Sequence, residues 1–151
     1  QNAEEQIDDF IHLASLLKER QGPLLFQLPP NFKKDIARLE AFFQHVAGRA
    51  AIALQLQHKS WFDEEVYDCL RSHSAALCCA DDDGVACEQV VSTANWGLVR
   101  LREERYTDAK LKKWIAKLKK QNWDEAYVFF KHEDVGAGPA LAARFLKLAG
   151  Q

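Results

Sequence analysis

The sequence predicts an α/β fold of parallel strands and intervening helices, about five β/α units with the helices outside, with residues 1–151 forming a single domain. Three observations predict it. Short apolar runs alternate with longer segments whose apolar residues recur at three-and-four spacing, the period of an amphipathic helix. The short runs are continuously apolar, as in strands covered on both faces. The segments between them are long enough for the right-handed crossovers that parallel strands require.

Each element follows from the residues in turn. Gln6 to Arg20 sets Ile7, Phe10, Ile11, Ala14 and Leu17 on one helical face, and Gly22-Pro23 ends it. Leu24 to Leu28 is the first strand, closed by Pro29-Pro30. Asn31 is the expected cap of a second helix with Ile36, Leu39, Phe43 and Val46 inward, stopped by Gly48. Ala51 to Leu56 is the second strand, and Ser60 the expected cap of a helix carrying Phe62, Val66 and Leu70. Ala75 to Ala80 is the third strand, with a turn signal at Asp81-Asp82-Asp83-Gly84. Trp96 to Leu101 is the fourth. Thr107 caps a helix with Leu111, Trp114, Ile115 and Leu118 inward and the lysines from Lys110 to Lys120 largely outward. Ala126 to Lys131 is the fifth strand, and Gly138-Pro139 opens a last helix with Leu141, Phe145 and Leu148. Open doubly wound sheets and closed barrels both fit this pattern.

The totals narrow the function classes. A formal net charge of -2 argues against a dedicated nucleic-acid binder. The lysine-rich helix reads as a solvated face, since no aromatic platform accompanies it. No apolar run approaches the roughly 18 residues of a membrane span. The start Gln1-Asn2-Ala3-Glu4-Glu5 is not that of a secretory leader. Cys69, Cys78, Cys79 and Cys87 are expected as reduced, small hydrophobes, which implies a cytoplasmic address. No glycine-rich phosphate or dinucleotide fingerprint follows any strand, so no cofactor is expected. Asp81 to Asp83 with His132 and Glu133 would suit a hard cation, but without a recognised ligand spacing they read as a hydrated turn, and no metal is expected.

Parallel folds bring the carboxyl ends of their strands to one side, where ligands bind. The polar clusters of this chain stand there: Gln27; Gln55, Gln57 and His58; Asp81; Arg100 and Arg102; Lys131, His132 and Glu133. His58, His132 and Glu133 are the candidate catalytic groups, histidine to carry a proton near neutral pH and a carboxylate to orient it. Gln27, Gln57, Asp81, Arg100, Arg102 and Lys131 are the candidate ligand-binding groups, the cations suited to a phosphate or carboxylate. For each there is a plainer alternative. Strand-to-helix loops are polar in any protein, His58 reads alone as structural, and Arg100 or Arg102 could pair with Glu103, Glu104 or an aspartate of the previous strand.

Gly22-Pro23-Leu24-Leu25-Phe26-Gln27-Leu28-Pro29-Pro30-Asn31-Phe32, His58-Lys59-Ser60-Trp61-Phe62, Arg100-Leu101-Arg102 with Tyr106, and Val128-Phe129-Phe130-Lys131-His132-Glu133-Asp134 together resemble the YecE-like family, a bacterial domain of unknown function built as a TIM-type barrel. The resemblance implies an incomplete TIM-type barrel, the carboxy-terminal portion of the family's domain. The family opens with further β/α units, including a Thr-His motif, that this chain lacks. A complete barrel has eight strands and about 250 residues. The absence of methionine fits an excerpted chain. Gln55 and Gln57 stand where the family pattern places a glutamate and an arginine, which removes an acid or base and an anion clamp.

Two functions remain open at this point. One is a site for a small anionic or hydroxylated ligand at the strand ends, with hydrolase, isomerase or lyase chemistry if it is enzymatic. The other is a non-catalytic truncated or degenerate module that binds a protein partner or self-associates through an exposed barrel edge.

Overall fold

The computed structural model describes residues 3–81, 90–103, 105–130 and 136–150. In chain order the elements are α1 (Ala3–Ser15), β1 (Leu24–Gln27), α2 (Ile36–Val46), β2 (Ile52–Gln55), α3 (Glu64–Ser72), β3 (Ala76–Leu77), β4 (Cys79–Ala80), β5 (Trp96–Leu101), α4 (Asp108–Lys119), β6 (Glu125–Phe130) and α5 (Ala137–Ala149). Short 3-10 turns lie at Lys18–Arg20 and Lys59–Trp61. The strands form two three-stranded sheets, β1-β2-β3 and β4-β5-β6, and every pairing is parallel.

The expected third strand is thus two strands, divided at Cys78. Its first half pairs with β2 and its second with β5. The backbone carries the change of partner: Cys78 donates its N–H to Leu54 O at 2.8 Å, and Asp81 donates to Arg100 O at 3.1 Å. On the side of β3 away from β2, the buried Thr93 hydroxyl donates to Ala75 O at 2.7 Å and accepts from Leu77 N–H at 2.9 Å. One side chain thereby satisfies backbone groups that a neighbouring strand would otherwise take.

Residue parity along this segment assigns the two faces. Ala75 and Leu77 pack with Ile11 and Ala14 of α1, Leu39, Phe43 and Val46 of α2, and Val66 and Leu70 of α3. Cys79 packs with Val99 and Leu101 of β5, Leu111, Trp114 and Ile115 of α4, and Phe145 of α5. All five helices therefore cover one face. On the other, Ala76 and Cys78 pack with Ala53 and Leu98, flanked by Leu25, Trp96 and Tyr127. Small residues let these strand faces close on one another without a helix between them.

Several boundaries differ from expectation. Asn31 does not cap α2; Asp35 does, accepting Arg38 N–H at 3.0 Å, because the chain after Pro29-Pro30 first turns, with Phe32 N–H bonded to Pro29 O. Ser60 does not cap α3 either. It lies inside the 3-10 turn, and Asp63 caps the helix by accepting Val66 N–H at 3.1 Å. Thr107 caps α4 as expected. Cys69 and Cys78 are free and buried, but Cys79 is disulfide-bonded, so the expectation of reduced thiols fails there. Facing the helices while Cys78 faces away, Cys79 has different neighbours, and the thiol argument for a reducing compartment is correspondingly weaker. Among the described residues no helix is long and apolar enough to cross a membrane.

Trp123 lies against the start of β5. A Cβ built on Gly97 would fall 2.2 Å from the indole ring, so only glycine fits beneath it. Gly97→Ala is expected to destabilise the fold by about 1–3 kcal/mol or more through overpacking. Urea denaturation checks this, and an unchanged midpoint would mean that Trp123 does not hold this position.

Candidate functional site at the strand ends

The carboxyl ends of β1 and β2 place Gln27 and Gln55 in register, and those of β4 and β5 place Ala80 beside Arg100. Both pairs lie on the helix-free face, by parity with Leu25, Ala53 and Leu98. Arg100 reaches from the second sheet to the first. Its Nη1 donates to Gln55 Oε1 and to Gln27 Oε1, the latter at 3.2 Å. Gln55 is only 2% exposed, so this bond prevents a buried amide oxygen from going unpaired. Among the described residues Arg100 has these neutral amides, and no carboxylate, as polar partners. Burial pushes the thiol of Cys78 up to about 12, with the charge of nearby Arg100 pulling it down.

Phe129 is the register partner of Arg100 on β6, so it stands on the same face, and it is 53% exposed. The cluster therefore combines a half-buried cation, two amides and an open aromatic ring. Sequence reading placed Gln55 at the rim but chose Gln57, and it did not select Phe129. The missing information was register, which a run of apolar residues does not carry. Gln57 is half-buried and forms no hydrogen bond among the described residues.

His58 follows β2 and caps the 3-10 turn. Its Nδ1 accepts Ser60 N–H at 3.1 Å and lies 2.8 Å from Ser60 Oγ. Ser60 Oγ in turn accepts Lys34 N–H at 2.8 Å, which leaves its own hydrogen for the imidazole. With Nδ1 committed as an acceptor, Nε2 is the nitrogen left to carry the proton and meet a ligand. The turn is anchored by Trp61, 1% exposed, whose Nε1–H donates to Phe32 O at 2.7 Å and whose ring stacks on Phe32 at 6.1 Å.

Asp81 does not join Arg100. It follows Ala80, so it points to the opposite, helix-covered face. There it accepts Arg102 N–H and the hydroxyl of Tyr106, which itself accepts Glu103 N–H at 2.9 Å. The aspartate fastens the chain beyond β5 to the end of β4 and leaves Arg100 without a carboxylate partner among the described residues. It binds the backbone of Arg102, which gives the expected partner of an arginine a different role. Lys131, His132 and Glu133, like Asp82 and Asp83, lie outside the described residues.

The sequence model of the family described as "Protein of unknown function DUF72" matches residues 1–151, the whole chain. A comparison with curated proteins finds no match. The fold is similar to a crystal structure of a DUF72 family protein from Thermotoga maritima MSB8, with a TM-score of 0.78 at 21% identity over 100% of this chain and 67% of that one. It is also similar to two crystal structures of a DUF72 family protein from Enterococcus faecalis V583, both with TM-scores of 0.83. Their identities are 17% and 18%, over 99% of this chain and 67% and 70% of theirs. At these identities the likeness concerns the fold.

Burial raises the Asp81 carboxyl above its ordinary value, outweighing the Tyr106 and Arg102 hydrogen bonds that lower it. A carboxyl raised by folding binds protons more readily in the folded state. Its favourable effect is complete in acid and is lost as pH rises from about 4 through the raised value. Asp81→Asn should flatten that part of the stability profile. Tyr106→Phe should cost about 1–3 kcal/mol by leaving Asp81 and Glu103 N–H without their partner. Denaturation across a pH series measures both, and equal slopes for Asp81→Asn and the parent would reject the assignment.

Proposed function

The chain belongs to the DUF72 family, and on that footing we propose that its parallel β/α units are of the (β/α) barrel type and bind a small anionic, hydroxylated ligand at their strand ends. What carries the reading is the half-buried guanidinium of Arg100, held by Gln27 and Gln55 and left with its charge uncompensated among the described residues. A carboxylate or phosphate seated there gains charge-assisted hydrogen bonds and relieves the cost of an unpaired cation. Phe129 adds an apolar ring on the same side, suited to the C–H face of a sugar acid. The placement of all helices on one strand face supports a barrel rather than a doubly wound sheet. In this reading Gln57, Arg102 and Lys131 extend the ligand contacts. His58, His132 and Glu133 are the acid–base groups of a hydrolase, isomerase or lyase reaction, and the address is cytoplasmic.

The test is thermal shift with inorganic phosphate and a panel of sugar acids. Binding is expected for the parent chain and to weaken about 10- to 100-fold in Arg100→Gln, the loss of one charged hydrogen-bonding group. Gln55→Glu should weaken it comparably by neutralising Arg100 in place. Binding that survives both substitutions would exclude the site, as would failure of every ligand to bind.

A second reading, self-association, is favoured by β6. It has one pairing partner among the described residues, β5. A cleft of about 490 Å³ beside it is lined by Val128, Ala142 and Leu146, the last 48% exposed. An edge of this kind is open to a further strand or a second copy. Sedimentation velocity of the isolated chain should then show a concentration-dependent dimer that Leu146→Glu disrupts. A monomer at all concentrations would reject it.

A further inference from the structure

Away from the strand ends, on the helix-covered side, α2 and α3 bring three donor side chains together. Cys69 and His73 lie four residues apart on α3 and its C-cap, so they share one face of the helix. That face meets Glu40 of α2. His73 Nε2 lies 2.9 Å from Glu40 Oε2, and together with the Cys69 sulfur all three donor atoms lie within 4.8 Å of one another. The His73 imidazole is stacked on Phe43 at 4.6 Å and 13°, which fixes the direction of its nitrogen.

We propose that Glu40, Cys69 and His73 bind a divalent transition-metal ion of the zinc class, with three protein donors and a fourth position open to solvent. A sulfur, an imidazole nitrogen and a carboxylate oxygen are the three ligand types zinc accepts. The sulfur disfavours magnesium or calcium, which take oxygen. Tetrahedral bond lengths put zinc's donors roughly 3.5 Å apart, so small side-chain rotations suffice from the present spacing. Glu40 now holds His73 through a hydrogen bond, and the cation takes over that role as the thiol gives up its proton.

A plain ion pair between Glu40 and His73 leaves Cys69 unexplained. A thiol serving only as core filler has hydrocarbon on every side, yet the sulfur of this one lies within 4.8 Å of both a carboxylate oxygen and an imidazole nitrogen. A coordinating thiol is deprotonated by the cation it binds. Access is from outside: the Glu40 and His73 side chains are 39% and 27% exposed, while Cys69 is buried behind them. The sequence pattern points to a cation only at Asp81 to Asp83 with His132 and Glu133, because Glu40 is remote in the chain from Cys69 and His73.

Cobalt(II) titration of the tag-free, reduced protein tests the site. One equivalent should bring up a thiolate-to-cobalt charge-transfer band that zinc(II) bleaches. Cys69→Ser should abolish the band, and Glu40→Gln and His73→Gln should each weaken cobalt binding more than tenfold. The last two substitutions are at partly exposed positions, so they decide the matter even if Cys69→Ser does not fold. Absence of the band, its persistence in Cys69→Ser, or unchanged affinity in both Glu40→Gln and His73→Gln would overturn the proposal.

Discussion

The segment from Ala75 to Asp81 is the constraint on which the architecture rests. It is paired first with β2 and then with β5, and through it two three-stranded sheets keep a single strand direction. A strand's side chains alternate strictly between faces, so the hand-over at Cys78 also fixes which residues meet the helices throughout. A slip of one residue would turn Asp81 inward beside Arg100 and expose Ala76 and Cys78 to the helices. Thr93 guards the register by occupying the backbone groups at Ala75 and Leu77 that could otherwise recruit another strand.

That alternation separates two charged groups which the sequence places almost side by side. Arg100 and Asp81 stand near the ends of neighbouring strands, and an ion pair between them is the ordinary expectation. Because Ala80, and not Asp81, is in register with Arg100, the two point to opposite faces. The aspartate acquires a tyrosine and a backbone N–H, and the arginine two amides. Each is geometrically satisfied, yet neither is neutralised by the other. The separation leaves Arg100, among the described residues, with amide partners alone on the helix-free face.

What was legible in the sequence divides along the same physical line. Strands such as Trp96–Leu101 and helices such as α4 were readable because local periodicity and a Thr107 cap determine them. The caps at Asn31 and Ser60 were misplaced because each precedes a tight turn. In both cases an aspartate a few residues later, Asp35 or Asp63, makes the actual capping bond. The placement of Gln27, Gln55 and Arg100 at the strand ends was foreseeable from the parallel topology. Convergence was not, since joining Gln27, Gln55 and Arg100, or Glu40 with Cys69 and His73, requires contacts between distant elements.

Phe129 connects the two functional readings. Its ring faces the same side as Arg100, while its strand forms the outer member of the second sheet. If a further strand or a second copy pairs with β6, the ring becomes part of a wall and the solvent around Arg100 is reduced. A guanidinium–anion contact strengthens as water is excluded, because the effective dielectric falls. If both proposals hold, ligand affinity at the strand ends and occupancy of the β6 edge would be coupled through one side chain, and whatever covered that edge would help to set how tightly the cation held an anion.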